Sequence, residues 1–221
     1  ETNTLYHNNG QGRLDDVTPR AGLVEPSYLQ LGFGVCFLDY DHDMALDFFV
    51  ANGHVVDRIA EVDSSLSYAQ PNQLLRNDEG RRFTDVSASA GPSMAVNNVG
   101  RAAVLADYDN DGDQDLLVTT EAGPPRLLRN EGGNQGHWLS VALVGKAPHD
   151  ALGARVTVEA GGVRQVRQRQ SGRSYLSSHD PRLHFGLGEN TRAQVEVRWP
   201  DGQVQQLGEV AADQFLKLEE P

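Results

Sequence analysis

The chain has 221 residues, with 31 Asp and Glu against 19 Lys and Arg, one cysteine, and a formal charge of −12. A lone cysteine excludes a disulfide framework within the chain, and no apolar run approaches the ~18 residues that a membrane-spanning helix requires. Apolar residues at 38% and 23 glycines give the composition of one or two globular domains.

The charge is confined to one half. Residues 1–133 carry 21 acidic and 9 basic side chains, whereas residues 134–221 carry 10 of each. Such a first half disfavours nucleic acid and anionic membrane as partners, because phosphate repels it at every approach. A cation is its natural partner. The sequence opens at Glu1 without methionine, as expected of a mature product or of a piece of a longer chain.

In chain order, strands are expected at 4–7 and 14–18 around the turn Asn8-Asn9-Gly10-Gln11-Gly12, then at 35–38 and 47–51 around an acidic loop. Residues 55–70 read as an inserted surface loop. The pattern returns at 73–76, 83–87, 102–106 and 115–119, and helical periodicity is nowhere sustained. The return is an internal repeat. Leu5, Asn8, Leu14, Asp16, Val17 and Gly22 recur 69 positions later as Leu74, Asn77, Phe83, Asp85, Val86 and Gly91. The segment GFGVCFLDYDHDMALDFFVANG from Gly32 recurs 68 positions later as GRAAVLADYDNDGDQDLLVTTEAG from Gly100, and a partial third copy, LLRNEGG, starts at Leu127. Four short strands per repeated unit is the signature of propeller-type blades.

Each unit contains an acidic loop. Asp107, Asp109, Asp111 and Asp115 stand at loop positions 1, 3, 5 and 9, with Gly112 at position 6 and Asp113 at position 7. Alternate residues of a curled loop turn their oxygens inward, glycine permits the sharp reversal, and the position 7 carbonyl adds an oxygen, which is calcium-ligand spacing. Oxygen ligands without Cys or His favour calcium over zinc or copper. Four inward carboxylates about 5 Å apart repel by roughly 3 kcal/mol per pair at an effective dielectric of ~20, so the loop should loosen without a cation. The bland alternative is an acidic hairpin turn. In the first copy Asp39, Asp41, Asp43 and Asp47 keep the spacing with Ala45 at position 7, but Met44 replaces the glycine. A side chain at positive φ is costly, so a distorted or weaker site is expected there.

A glycine-led apolar strand, DxDxDGxxD, a second apolar strand and a Leu-x-x-Asn hairpin together resemble the FG-GAP or VCBS repeat of integrin-like propellers and secreted bacterial proteins. The resemblance covers residues 1–133 and implies blades, calcium and an extracellular or cell-surface setting, with calcium ligation carried over onto Asp39, Asp41, Asp43, Ala45 and Asp47 and onto Asp107, Asp109, Asp111, Asp113 and Asp115.

Gly132-Gly133-Asn134-Gln135-Gly136 reads as a flexible joint, so two domains are expected, 1–133 and 134–221. Strands are expected at 137–144, 154–159, 163–169, 182–185, 193–199, 204–207 and 214–218, with hairpin turns at Gly161-Gly162 and Asp201-Gly202, enough for a small sandwich or barrel. The stretches HDALGARVTVEAGG, SGRSYLSSHDPRLHFGLG and VEVRWPDGQVQQL resemble the ASPIC/UnbV domain, which ends proteins of the cartilage acidic protein-like family and their bacterial relatives. That resemblance implies extracellular interaction and transfers no activity.

Other candidates read as structural. Ser178, His179 and Asp180 are chain neighbours whose side chains diverge in extended structure, so no catalytic relay is expected. His179 and His184 lack a third ligand at zinc spacing. Cys36, Trp138 and Trp199 read as core residues. Arg164, Arg167, Arg169 and Arg173 form a basic strip, either a solvated strand face or a surface for acidic glycans or the acidic half of another copy. No Asn-x-Ser/Thr sequon occurs.

Two repeat units leave open sheet edges that either preceding chain or a second copy must cover. The expected function is a secreted, non-enzymatic interaction or adhesion module for a protein or glycan ligand, with calcium as its cofactor and without membrane insertion. The alternative is a self-assembling subunit that forms a filament through its open blade edges.

Overall fold

The computed structural model describes residues 2–121, 123–147 and 150–221. Glu1, Ala122 and His149, each within a stretch quoted above, lie outside the described residues, as does Pro148. The fold is all-β. Strands β1 (Tyr6–Asn8) and β2 (Leu14–Asp16) form a hairpin, and β3 (Gly32–Leu38), β4 (Asp47–Asn52), β5 (Gln73–Asp78) and β6 (Arg82–Asp85) form an antiparallel sheet in chain order. Strands β7 (Gly100–Ala106), β8 (Asp115–Thr120) and β9 (Arg126–Leu128) make a three-stranded antiparallel sheet. The insertion at 55–70 is an excursion from the first sheet with one exposed helical turn, Ile59–Val62.

The four-stranded sheet is out of phase with the sequence repeat. It takes its first two strands from one unit and its last two from the next, because β4 pairs with β5 across the insertion, Phe48 opposite Leu75 and Phe49 opposite Leu74. All six residues of β4 are buried, since its two faces serve two cores. Phe49 and Ala51 join Cys36, Leu38 and Leu74 against Ala103, Leu105, Leu116 and Val118 of the three-stranded sheet. Phe48 and Val50 join Leu75 beneath Val17, Ala21 and Leu23 of the N-terminal segment. Period-two alternation of large apolar residues makes this two-sided use possible.

The remaining strands are β10 (His137–Val144), β11 (Arg155–Ala160), β12 (Val163–Gln168), β13 (Leu183–Gly188), β14 (Arg192–Arg198), β15 (Val204–Ala211) and β16 (Gln214–Glu219). They form two sheets, β13-β10-β16 and β12-β11-β14-β15, which contain no strand from before residue 137 among the described residues. Leu139, Val141, Phe185 and Leu187 of one sheet meet Val156, Val158, Val195 and Val197 of the other, with Trp199 fully enclosed. The expected choice between sandwich and barrel thus falls to two stacked sheets without closure.

Candidate functional site

The two acidic loops, β3 to β4 and β7 to β8, share most of their internal wiring, although Asp111 N–H donates to Asp107 Oδ1 with no counterpart at Asp39 Oδ1 among the described residues. Met44 N–H donates to Asp39 Oδ2 at 3.0 Å, and Gly112 N–H to Asp107 Oδ2 at 3.2 Å. Ala45 N–H donates to Asp43 Oδ1, as Asp113 N–H does to Asp111 Oδ1. The last aspartate is held twice: Asp47 accepts from Tyr40 N–H and Asn77 N–H, and Asp115 from Tyr108 N–H and Asn130 N–H. Residues 77 and 130 are the asparagines of the Leu-x-x-Asn hairpins, so that motif is the anchor of each loop's final carboxylate. The recurrence of this motif was visible in the sequence, but its partner in the loop was not.

The loops bring some of the expected residues together and turn others aside. Carboxylate oxygens of Asp39, Asp41 and Asp43 lie within 4.8 Å of one another, as do those of Asp107, Asp109 and Asp115. Asp47 is committed to its two backbone donors. Asp111 faces Arg129, whose Nε also lies 2.9 Å from Asp109 Oδ2. Asp113 is fully buried, with Oδ2 accepting from Gly133 N–H at 3.1 Å.

Burial disfavours the negative charge of these carboxylates. Asp39 is 1% exposed, and burial, with the Asp43 and Asp47 charges, pushes its carboxyl up to about 8. Burial likewise pushes Asp47 up to about 7 against the pull of its backbone donors, and Asp113 up to about 7 with help from Asp111. Asp43, Asp107 and Asp115 are raised for the same first cause. Asp39 Oδ1, Asp41 Oδ1 and Asp113 Oδ1 are buried without a hydrogen-bond partner among the described residues. Buried carboxylate oxygens left unpartnered are costly, and an oxygen-seeking dication suits such a donor set.

Met44 adopts φ 74° and Gly112 φ 101°, so the left-handed reversal is kept in both loops. The expected distortion at Met44 is not seen in the loop's hydrogen bonds. Its side chain packs against the core between the two C-terminal sheets, with Sδ 3.9 Å from Asn190 Nδ2, and that burial offsets backbone strain of about 1–2 kcal/mol.

Both loops press on the C-terminal sheets, a relationship between residues far apart in sequence and therefore without a sequence signal. Gly188 N–H donates to His42 O at 2.8 Å, and His42 Nδ1 reaches Gly136 O at 3.2 Å. A carbonyl only accepts, so His184 Nε2, 2.9 Å from Gly112 O, carries the proton. The His42 and His184 rings are 4.9 Å apart, and Trp138 stacks beyond His184 at 6.3 Å. Arg182 crosses the seam to Asp107 O and Asn110 Oδ1, both at 2.6 Å. On the C-terminal side Gly186 leaves room that a Cβ would take from Asp39.

The remaining candidates separate cleanly. Ser178 Oγ donates to Ser171 O, His179 Nδ1 accepts from Leu105 N–H, and Asp180 pairs with Arg182, so the three side chains engage different partners. His184 is buried at the seam, where burial and His42 push it down to about 3. Cys36 donates to Ala103 O at 3.1 Å, and Trp199 Nε1 donates to Gln205 within the core. The basic strip is not one surface: Arg164 is exposed beside Glu159, whereas Arg169 is 9% exposed.

Fold and site thus define an all-β protein in which repeated acidic loops face a two-sheet C-terminal unit. Residues 145–221 match the family described as ASPIC and UnbV. The match begins after β10, although β10 is the central strand of its sheet. The chain is similar to cartilage acidic protein 1 of Homo sapiens, 25% identical over 91% of this chain and 38% of the relative. It is also similar to cartilage acidic protein 1 of Xenopus tropicalis, 27% identical over 89% of this chain and 29% of the relative. The chain therefore spans well under half the length of the curated relatives it matches.

Proposed function

We propose that this chain is a calcium-stabilised, non-enzymatic extracellular module that binds a protein or glycan, and that its two N-terminal sheets are consecutive propeller-type blades. The observation that carries the reading is the duplicate wiring of two acidic loops around buried, unpartnered carboxylate oxygens. Asp39, Asp41 and Asp43, with the Ala45 carbonyl, would hold one ion, and Asp107, Asp109 and Asp115, with the Asp113 carbonyl, the other; Asp47 and Asp111 would join them only by giving up contacts to Asn77 N–H and to Arg129. Relatives named for cartilage and for acidity support an extracellular setting. A cleft of about 560 Å³ between the two sheets, lined by Tyr40, Leu74, Met94, Leu116 and Leu128, offers an apolar floor for a ligand.

Thermal unfolding in calcium and in chelator tests the metal assignment. One site at a calcium concentration one hundredfold above its Kd contributes about 2.7 kcal/mol, which raises the midpoint by several degrees in a chain of this size. Asp109→Ala should remove a large part of that rise, and an unfolding midpoint indifferent to calcium overturns the reading.

One observation favours the filament alternative. Among the described residues no strand pairs with the outer side of β9, and Val35 and Phe37 are 39% and 48% exposed on the face of β3 turned away from β7. Sedimentation over a wide concentration range decides: a monodisperse monomer removes self-assembly.

A further inference from the structure

The loop joining β12 to β13 lies across the N-terminal sheets. Asp180 N–H donates to Leu105 O at 2.9 Å, and the Tyr175 ring meets Phe33 edge-on at 5.1 Å. Beside this strap is a cavity of about 70 Å³, walled by Arg167, Arg169, Arg173 and Arg182 together with the carboxylates of Asp107 and Asp180. Three of its four arginines belong to the strip noticed in the sequence, and Arg182 joins them only through the fold.

The charges on this wall do not balance. Arg182 is paired with Asp180 at 2.5 Å, and Arg169 with Asp150 at 2.6 Å. Asp107 turns its oxygens into its own loop, toward Asp111 and Gly112 N–H. Arg167 donates only to Val166 O and Gln165 Oε1, and Arg173 Nε to Gln170 Oε1. Neither has a carboxylate within ion-pair distance among the described residues. Arg169, 91% buried, leaves its Nε without a partner among the described residues. Two guanidinium groups beside one cavity repel each other unless an anion lies between them, and their planar forks match oxygens of a tetrahedral or planar oxyanion. The volume accommodates one such group or a few waters.

We propose that this cavity is an oxyanion site that takes a single sulfate or phosphate group, held by Arg167 and Arg173 with Arg169 supporting them. The nearby His179 lacks a positive charge of its own, since burial and Arg173 push it down to about 4, so the guanidinium groups supply the attraction. The site adjoins the proposed calcium ligation through Asp107, but the groups proposed to hold the anion, Arg167, Arg169 and Arg173, take no part in that ligation.

Calorimetric titration of the intact chain with sodium sulfate, compared with sodium chloride of equal ionic strength, tests the site. The expected result is saturable binding of one sulfate, weakened about tenfold in Arg173→Gln, the loss of one charge-assisted contact. Arg173 is exposed, so its replacement leaves the fold intact, as far-ultraviolet circular dichroism will verify. Arg164→Gln, which changes a residue paired with Glu159 outside the cavity, should bind sulfate as the parent does. Non-saturating heats equal to those of chloride overturn the proposal, as does unchanged sulfate affinity in a folded Arg173→Gln. Supporting outcomes then divide by source: binding of a monosaccharide sulfate ester as tight as free sulfate assigns the site to a group carried on a larger molecule, and exclusion of the ester assigns it to the free ion.

Discussion

Met44 and Gly112 occupy the same position in their acidic loops and share a left-handed backbone, yet only Gly112 lies against the Trp138 indole, with no room for a Cβ. The two loops therefore meet the C-terminal sheets differently, one by inserting a side chain and the other by accepting one. Gly112→Ala combines left-handed strain with a collision at Trp138 and should cost about 3 kcal/mol or more. Met44→Gly relieves strain while losing packing, and should change stability by about 1 kcal/mol at most. Denaturant midpoints of the two variants measure this asymmetry.

Asp39 is enclosed, and its Oδ1 is unpartnered. Above about pH 8, where the folded Asp39 carboxyl ionises, Asp39→Asn should therefore stabilise the protein in chelator by roughly 1–2 kcal/mol, because a buried charge disappears. In saturating calcium the same change should lower the midpoint, because a ligand charge is lost. Thermal scans of parent and variant under both conditions show the reversal of sign.

The pH dependence of the calcium-free protein follows from the raised carboxylates. Asp39, Asp47 and Asp113 reach about 8, 7 and 7 in the fold, against about 3.9 in an unfolded chain. The folded state then keeps protons that the unfolded state has released, so stability falls as pH rises through these values. His184 and His179 act oppositely, being lowered to about 3 and about 4, but above about pH 6.5 they are neutral in both states. In chelator, stability should thus increase as pH is lowered from about 8, with a steep limb down to about 6.5 and a shallower limb below it, where protons taken up by the two histidines of the unfolded chain offset part of the carboxyl gain. Saturating calcium keeps the carboxylates ionised and should flatten the first limb.

Trp138 touches Gly112 and stacks on His184, whereas Trp199 is enclosed in the C-terminal core. Calcium-dependent tightening of the second loop should therefore change Trp138 emission and leave Trp199 unaltered. Fluorescence titration of the parent and of Trp138→Phe checks this, the variant losing most of the calcium response.

Cys36 is 1% exposed, and burial pushes its thiol up to about 12. Thiol reagents should modify it only on unfolding, so its labelling rate in native buffer should follow global stability. Rapid labelling of the folded protein would show that β3 opens locally.

Much of the fold was legible in the sequence because local chemistry encodes it. Alternating apolar residues marked most strands, although β9 was not among those expected, β3 starts three residues earlier than expected, and β13 and β15 run three and four residues further. The Gly161-Gly162 hairpin was legible for the same reason: both residues take positive φ, as a two-residue turn of that hand requires. The spacing of the aspartates located the loops, and glycine at position 6 identified the reversal.

What the sequence by itself determined is this all-β pattern, its repeat and the two acidic loops, since each depends on neighbours a few residues apart. Only the tertiary structure decided which residues those loops face. It paired β4 with β5, set Asn77 and Asn130 on the last aspartates, and brought His184, Trp138 and Arg182 against loops tens of residues away. It also divided the basic strip, leaving Arg164 with Glu159 while gathering Arg167, Arg169 and Arg173 beside Arg182. The physical reason is that strand periodicity selects which face of a strand is buried, whereas the partner across that face depends on how whole sheets stack.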